Sequence, residues 1–165
     1  MAIPKNIEHY LSENAVSYSH KTHRVAYTSQ EIAAIDHIPA REVAKTVVLT
    51  ADHRLVMAVL PADHVINMEV LKLEIGAENV ALATESEFNR HFPSCEPGAM
   101  PPFGKLFGLP LYCDRALAGQ LEIEFNAGTH TDTIRMTFSE FDRLEAPDIL
   151  EFSEKPTGRP RARTA

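Results

Sequence analysis

One lysine lies inside a run of apolar residues, where a charge is unexpected. Lys45 stands in residues 43–49 (VAKTVVL), and alternation along a strand gives it the same face as Val47 and Leu49. Lysine is rarely buried without a partner. Its stem can pack along the sheet while the ammonium group reaches solvent at the strand end. Alternatively, the ammonium lies at the floor of a cleft and receives a phosphate or a developing oxyanion.

A second candidate is the stretch of residues 92–110, which contains five prolines and three glycines. This composition excludes a regular helix or strand, and the accompanying apolar residues predict a packed functional loop. Glycine permits a backbone turn that other residues resist, and the prolines stiffen the chain after that turn. Such a loop can present backbone N–H groups to a ligand's carbonyl oxygen, or it can be a rigid connection across the sheet. Its candidate segment consists of Gly98, Ala99, Met100, Pro101 and Pro102.

A third candidate is the turn formed by Gly128, Thr129 and His130, with Asp132 close behind. A histidine can donate or accept a hydrogen bond near neutral pH, so His130 could position a water molecule. A histidine beside a turn can equally be an ordinary surface residue.

Other classes of catalytic site have less support in the sequence. No G-x-S-x-G elbow, P-loop or dinucleotide-binding fingerprint occurs, and Cys95 lies in no recognised nucleophile setting. A metal hydrolase using His20, His23 and His130 is an alternative. However, structural metal sites need clustered ligands, and the histidines are mostly scattered. The sequence therefore gives a metal site little support.

Length and composition indicate one domain. The chain has 165 residues, of which 44% are hydrophobic and 24% charged, as in ordinary globular proteins. No apolar stretch approaches the roughly 20 residues that cross a bilayer, and no secretory signal is recognised. We expect a cytoplasmic protein with no membrane partner. In that compartment Cys95 and Cys113 are expected to be reduced thiols rather than a disulfide.

The formal net charge of −7 argues against a broad nucleic-acid-binding surface and against a DNA partner. Residues 153–165 are instead net positive, with Lys155 and three arginines against Glu154. Any RNA contact by the body of the protein must therefore be local, at a small cationic mouth.

Hydrophobic periodicity and capping signals predict short helices and strands. Residues 43–50 and 55–60 are apolar on both faces, which is typical of central strands covered on each side. Capping boxes begin at Thr28 and Thr84. Helices are predicted over residues 4–14, 28–35, 68–75, 84–91 and 139–144. Further strands are predicted over residues 16–20, 80–83, 111–113, 121–125 and 133–138.

These elements predict an α+β fold with a mixed, curved, barrel-like sheet and short helices packed outside it. Residues 1–152 would form the domain. Residues 153–165 are polar, rich in proline and arginine and without periodicity, so we expect a disordered basic tail.

The candidate segments occur in an order that resembles the YbaK family, also called the prolyl-tRNA-synthetase-associated or tRNA-editing domain. The resemblance covers residues 16–144, and each motif is weak alone while their shared order and spacing are specific. The matching segments are residues 28–34, 44–49 (AKTVVL), 59–63 (VLPAD), 98–104 (GAMPPFG), 111–114 (LYCD) and 126–130 (NAGTH).

The resemblance implies hydrolysis of the ester that joins an amino acid to the terminal adenosine of a tRNA. It implies that Lys45 holds the terminal phosphate or the ester region of the substrate. Backbone amides of the segment from Gly98 to Pro102 would bind the carbonyl oxygen as it becomes an oxyanion. His130 would order the attacking water or limit the size of the aminoacyl pocket, with Thr46, Gly128 and Thr129 beside it. Prolyl-tRNA synthetase would be a partner, and the resemblance implies no metal and no organic cofactor.

One departure from the family bears on the substrate. Lys45 is followed by Thr46, where the alanine-specific branch tends to have asparagine. The departure means that the resemblance does not single out alanine. The substrate is expected to be tRNA(Pro) carrying cysteine, alanine or a similar small amino acid. In the cysteine-removing branch the substrate thiol can itself attack the ester. The alternative from another class is a binding module for tRNA or a synthetase that keeps this fold without turnover.

Overall fold

The hairpin that carries Lys45 lies at the centre of the largest sheet. The computed structural model describes residues 3–156. Among these, the helices are Lys5–Glu13 (α1), Ser29–Asp36 (α2), Met68–Ile75 (α3), Glu85–His91 (α4), Gly104–Phe107 (α5), Arg115–Ala118 (α6) and Phe138–Glu145 (α7), with a 3₁₀ helix at Ala40–Glu42. The strands are Ser19–Thr22 (β1), Ala44–Ala51 (β2), Arg54–Pro61 (β3), Val65–Ile66 (β4), Val80–Leu82 (β5), Leu111–Asp114 (β6), Glu122–Asn126 (β7), Asp132–Thr137 (β8), Asp148–Leu150 (β9) and Ser153–Glu154 (β10).

The strands form three sheets. The five-stranded sheet has the order β5-β2-β3-β6-β9, antiparallel across β5, β2 and β3 and parallel across β3, β6 and β9. An antiparallel sheet of order β1-β8-β7 and the pair β10-β4 complete the set. The predicted α+β class, mixed sheet and short outer helices are confirmed. The five-stranded sheet keeps β5 and β9 as open edges, so the strands do not close into a barrel.

The core explains why β2 and β3 are apolar on both faces. One cluster holds Met57, Phe125 and Phe141, between the five-stranded and three-stranded sheets. A second, on the other face, holds Leu49 and Leu71, the latter from α3. Each such side chain gains roughly 1.5–3 kcal/mol from burial. The predicted central strands are therefore confirmed. In the part of the chain that is described, no helix is long and apolar enough to cross a membrane.

Local capping sets several helix ends as predicted. The Thr84 capping box is complete, since its hydroxyl accepts the Glu87 N–H and the Glu87 carboxylate accepts the Thr84 N–H. Only half of the Thr28 box forms: the hydroxyl accepts the Glu31 N–H at 3.0 Å, while the Glu31 carboxylate accepts from that hydroxyl instead of the backbone. Helix α2 nevertheless begins where the sequence predicted.

Three predictions about local structure are wrong. Residues 92–110 were expected to hold no helix, yet α5 forms there as one short turn that ends at Gly108, whose conformation is left-handed. Strand β1 lies about three residues beyond the predicted 16–20, where it pairs with β8. The tail was expected to begin at residue 153, but Ser153 and Glu154 pair with β4, and the Ser153 N–H donates to the Asp114 carboxylate at 2.8 Å. Residues 157–165 of that predicted tail lie outside the described residues.

Gly128 is required by both its conformation and its surroundings. Its φ is +95°, a left-handed value that favours glycine, and an added Cβ would lie 2.7 Å from Cγ of Pro4 and 3.1 Å from Cδ1 of Ile7. Helix α1 therefore packs directly on the turn that carries His130.

We predict that Gly128→Ala destabilises the protein more than Gly76→Ala does. Gly76 also has a positive φ, +68°, but an added Cβ there meets nothing within 4 Å. Gly76→Ala should therefore cost about 1–2 kcal/mol from strain alone, while Gly128→Ala adds the clash with Pro4. Urea denaturation of both variants measures the two costs. Equal costs would contradict this packing.

Candidate functional site

Lys45 lines a cavity of about 380 Å³ between β2 and the start of α2. The remaining wall consists of Tyr27, Thr28, Ser29, Gln30 and Ala62. The Gln30 amide donates to the Ala62 carbonyl at 3.2 Å, which ties the helix start to the end of β3. The cavity therefore places one side-chain cation beside the N-terminal turn of a helix.

The Lys45 ammonium is half-buried and has no ion-pair partner within 4.0 Å among the described residues. Burial lowers its pKa, and the Asp63 carboxylate opposes that shift from a longer distance. Asp63 itself lies 3.8 Å from His64 Nε2 and 3.9 Å from Lys155 Nζ. An incompletely solvated and unpaired cation favours an incoming anionic group.

The Gly98 loop turns through a positive φ of +84°. The Ala99 N–H donates to the Glu96 carbonyl at 3.0 Å, and the Ala99 carbonyl accepts the Gly128 N–H at 2.9 Å. In residues 3–156, the N–H groups of Gly98 and Met100 have no hydrogen-bond acceptor. Met100, Pro101 and Pro102 are buried, which fixes the loop. Two backbone donors are thus unpaired within the described residues, although neither residue lines the Lys45 cavity.

His130 is held rigidly against this loop. Its backbone N–H donates to the Glu96 carboxylate at 2.6 Å, and Nε2 of its ring lies 2.8 Å from the Pro97 carbonyl oxygen. Because a carbonyl oxygen only accepts, Nε2 must carry the proton, which leaves Nδ1 as the acceptor of the neutral ring. Nδ1 is shielded from solvent and has no partner in the described structure. It can accept a hydrogen bond from a water molecule or from a ligand.

The buried Asp132 carboxylate fixes the turn that carries His130. One oxygen lies 2.7 Å from Nε2 of His20, and the other accepts from the hydroxyl groups of Thr129 at 2.6 Å and Thr131 at 3.1 Å. Burial opposes ionisation, but these hydrogen bonds prevail and the pKa of Asp132 is lowered. Thr129 therefore stabilises the turn and does not line the Lys45 cavity.

The histidines proposed for a metal hydrolase are not brought together. His20 is engaged by Asp132, Nδ1 of His23 by the Arg24 carbonyl, and His130 by Pro97. No group of three or more metal-ligating side chains occurs among residues 3–156. Cys95 and Cys113 are free thiols, as predicted. Burial raises the pKa of Cys113 to about 12, so it does not form a ready thiolate nucleophile.

Tyr27 connects the Lys45 cavity to the His130 turn, which the sequence did not reveal. Its ring centroid lies 5.0 Å from that of His130, and the Ala26 N–H donates to the His130 carbonyl at 3.0 Å. In the described part of the chain, no hydrogen bond or ion pair joins Lys45 directly to the Gly98 loop or to His130. An exposed tyrosine directly before a helix cap was the one available signal.

Thr46 faces away from Lys45. Strand alternation places it on the same face of β2 as Ala44 and Val48, which belong to the core cluster that also contains Met100. Its hydroxyl oxygen is buried and has no hydrogen-bond partner in the described residues. A buried unpaired hydroxyl costs free energy until a partner arrives.

A larger cavity, about 740 Å³, lies at the other end of the hairpin. Its lining includes Asp52, Arg54, His91 and Tyr112. It contains none of the predicted site residues and no unpaired buried cation. The Lys45 cavity is therefore the better candidate, although it is smaller.

A buried carboxylate lies close to the start of β2. Glu124 is fully buried, and an isolated bridge pairs it with Val43. Burial and the neighbouring Asp36 carboxyl group raise its pKa to about 7. Lys21 and Arg135 each approach Glu124 Oε1 to 3.8 Å and attract the charged form.

Comparison with known proteins identifies what this arrangement is similar to. A family model described as an aminoacyl-tRNA editing domain matches residues 23–144. A proline–tRNA ligase of Thiobacillus denitrificans is 29% identical over 126 residues, which are 74% of this chain and 21% of that protein. The multifunctional Ser/Thr-tRNA deacylase ProXp-y of Escherichia coli K12 is 26% identical over 147 residues, 86% of this chain and 87% of that protein.

Solved structures share the fold. The hypothetical protein APE2540 superposes with a TM-score of 0.82 at 19% identity, covering 90% of this chain and 99% of that one. A proposed trans-editing enzyme for prolyl tRNA synthetase gives 0.80 at 18% identity, covering 93% and 98%. The chain spans about a fifth or less of the ligases that it matches.

We predict that stability falls as pH rises because of Glu124. Its folded-state pKa of about 7 exceeds an ordinary value of 4.5, so its contribution is present below pH 4.5 and is lost as pH rises through 7. Glu124→Gln stays neutral and should reduce that loss between pH 5 and 8. Urea denaturation across this range measures it, with Glu69→Gln on the exposed face of α3 as the control. The same pH profile in both variants would contradict the assignment.

Proposed function

Since this chain belongs to the aminoacyl-tRNA editing domain family, we propose that it hydrolyses the ester of a mischarged tRNA. Water attacks the ester carbonyl carbon, the bond to the ribose oxygen breaks, and a free amino acid and an uncharged tRNA leave. The name of the E. coli relative, a Ser/Thr-tRNA deacylase aligned over 87% of its length, supports this reaction.

The observation that carries the proposal is the unpaired, half-buried ammonium of Lys45 in its cavity. In the proposed complex Lys45 attracts the terminal phosphate or the ester region of the substrate. Nearby positive charge is worth more there than in water, because the site is partly desolvated.

The Gly98 loop and His130 supply the remaining roles. The N–H groups of Gly98 and Met100 would donate to the carbonyl oxygen as it becomes an oxyanion, which is the charge that catalysis must stabilise. Nδ1 of His130 would accept a hydrogen bond from the attacking water or limit the space around the amino acid. Ala99, Pro101 and Pro102 hold the loop, and Gly128 and Thr129 hold the turn.

The substrate is proposed to be a small amino acid on tRNA(Pro). Cysteine and alanine remain candidates, with serine and threonine added because of the relative's name. A single methylene group in a pocket is worth only about 1–3 kcal/mol, so small changes in the lining select the substrate. Thr46 lies on the opposite face of β2 from Lys45, so the amino acid would extend to that face, where the unpaired hydroxyl favours a polar side chain.

The proposed setting is the cytoplasm, with prolyl-tRNA synthetase as a partner that supplies the mischarged tRNA. The acidic body suits a protein that grips only the acceptor end, where few phosphates need neutralising. No cofactor is assigned a role. Residues 1–152 remain the proposed catalytic domain, extended by strand β10.

We predict that Lys45→Ala lowers kcat/KM for deacylation by about 100-fold or more, as loss of one preorganised electrostatic contact commonly does. Its free energy of unfolding should not decrease, because a poorly solvated cation is removed. Lys72→Ala, on α3, is the matched control and should retain the parent rate. A folded Lys45→Ala protein that deacylates at the parent rate, with tRNA binding unchanged, would refute the role of Lys45.

We predict that Thr46→Val, which preserves shape and removes the hydroxyl, changes selectivity. The value of kcat/KM for seryl-tRNA(Pro) should fall about tenfold, which corresponds to one lost hydrogen bond of about 1.4 kcal/mol. The value for alanyl-tRNA(Pro) should stay within about threefold, since alanine offers no hydroxyl partner. Competition between the two substrates measures the ratio, and an equal change in both would count against pairing with the substrate's hydroxyl.

A further inference from the structure

Tyr27 is the most exposed of the aromatic residues that the structure describes. The residue is 72% exposed, compared with 38% for Tyr18. A single exposed aromatic residue is ordinary in itself. What distinguishes Tyr27 is its place on the rim of the Lys45 cavity together with a backbone that is fixed on both sides.

The backbone of Tyr27 is held by the residues before and after it. Ala26 is fully buried and donates its N–H to the His130 carbonyl, while the Thr28 hydroxyl caps α2. The ring itself rests on His130, with centroids 5.0 Å apart and planes inclined by 54°. His130 is in turn fixed by Pro97 and Glu96. The ring is thus supported on one side and open to solvent over most of its surface.

The charges around this ring suit an anionic chain with flat groups. Lys45 lines the same cavity, and Arg24 lies exposed on the segment that leads to Tyr27, while Lys21 on that segment is paired with Glu124 at 3.8 Å. The Tyr27 hydroxyl makes no hydrogen bond within the described residues, so the ring is not committed to the protein's own structure. Aromatic faces beside cations are the arrangement by which proteins bind unpaired nucleotides without reading their sequence.

We infer that the Tyr27 ring is a stacking platform for an unpaired nucleobase at the 3′ end of the acceptor strand. The base would lie on the open face of the ring, and the adjoining phosphate or ester region would lie toward Lys45. The identity of the ligand as an RNA end rests on the proposed function. The existence of a supported, open aromatic face at the cavity rim does not depend on that function.

The direct test uses fluorescence, because the chain contains no tryptophan. Tyr27→Trp places a single indole on the platform. Leu121→Trp is the matched control: Leu121 is 84% exposed and precedes β7, at the end of the β7–β8 hairpin away from His130. The probe is an uncharged RNA hairpin with a single-stranded 3′ ACCA end, compared with the same hairpin made blunt.

Stacking predicts saturable quenching of Tyr27→Trp by the hairpin with the ACCA end, and none of Leu121→Trp. An abasic nucleotide at the stacked position should weaken the binding about tenfold, the usual effect of losing one base–aromatic contact. Equal quenching by the blunt hairpin would indicate mere proximity to the duplex and would overturn the inference. Absence of quenching at RNA concentrations that saturate the parent protein would overturn it as well.

Kinetics separate this inference from the proposed function. Tyr27→Leu and Tyr27→Ala should lower kcat/KM about tenfold, mainly through KM, and Tyr27→Phe should lose less than either because it keeps the aromatic face. An intact rate in Tyr27→Ala, with Lys45→Ala inactive, would overturn the stacking inference and would support the proposed deacylase function. Quenching in Tyr27→Trp with no deacylation by the parent protein would support the stacking inference and overturn the proposed hydrolysis.

Discussion

The incomplete solvation of the Lys45 ammonium is the constraint on which this site depends. The lysine occupies a strand whose neighbours are buried on both faces, so the stem is packed and the charge reaches only a small cavity. Asp63 could have neutralised it, but the ion pairs of Asp63 are with His64 and Lys155. The large core formed by β2 and β3 compensates for this unfavourable position. The result is a partly buried cation with no ion-pair partner within 4.0 Å among the described residues.

A second requirement is rigidity in the groups that surround that cation. The Asp132 carboxylate holds the turn through Thr129 and Thr131, and the turn holds the Gly98 loop through the Gly128 N–H. His130 then supports Tyr27, which reaches the rim of the Lys45 cavity. The chain of contacts thus runs from the Gly98 loop through His130 to Tyr27, which alone of these residues lines the Lys45 cavity. In the proposed deacylation, preorganisation of this kind would let the site stabilise developing charge without reordering at the moment of reaction.

Local signals explain what the sequence could predict, and long-range contacts explain what it could not. Helix α3 was predicted correctly because its C-terminal cap, Gly76, is readable along the chain. The environment of Lys45 followed from strand alternation. By contrast, strand β10 depends on β4, which lies about 90 residues earlier, and β9 depends on parallel pairing with β6. The contact of Tyr27 with His130 joins residues about 100 positions apart in the chain, so no local sequence pattern predicts it. The family resemblance united the three candidate segments, whereas their spacing alone left each open to a structural role.

The most direct test of the proposed hydrolysis is a deacylation time course with the parent protein. The substrates are samples of tRNA(Pro) charged with serine, threonine, alanine, cysteine and, as the control, proline. We expect rapid release of one or more of the small mischarged amino acids while prolyl-tRNA(Pro) stays intact. If every trace is flat although the protein binds tRNA(Pro), the site is not hydrolytic, and the fold serves as a binding module.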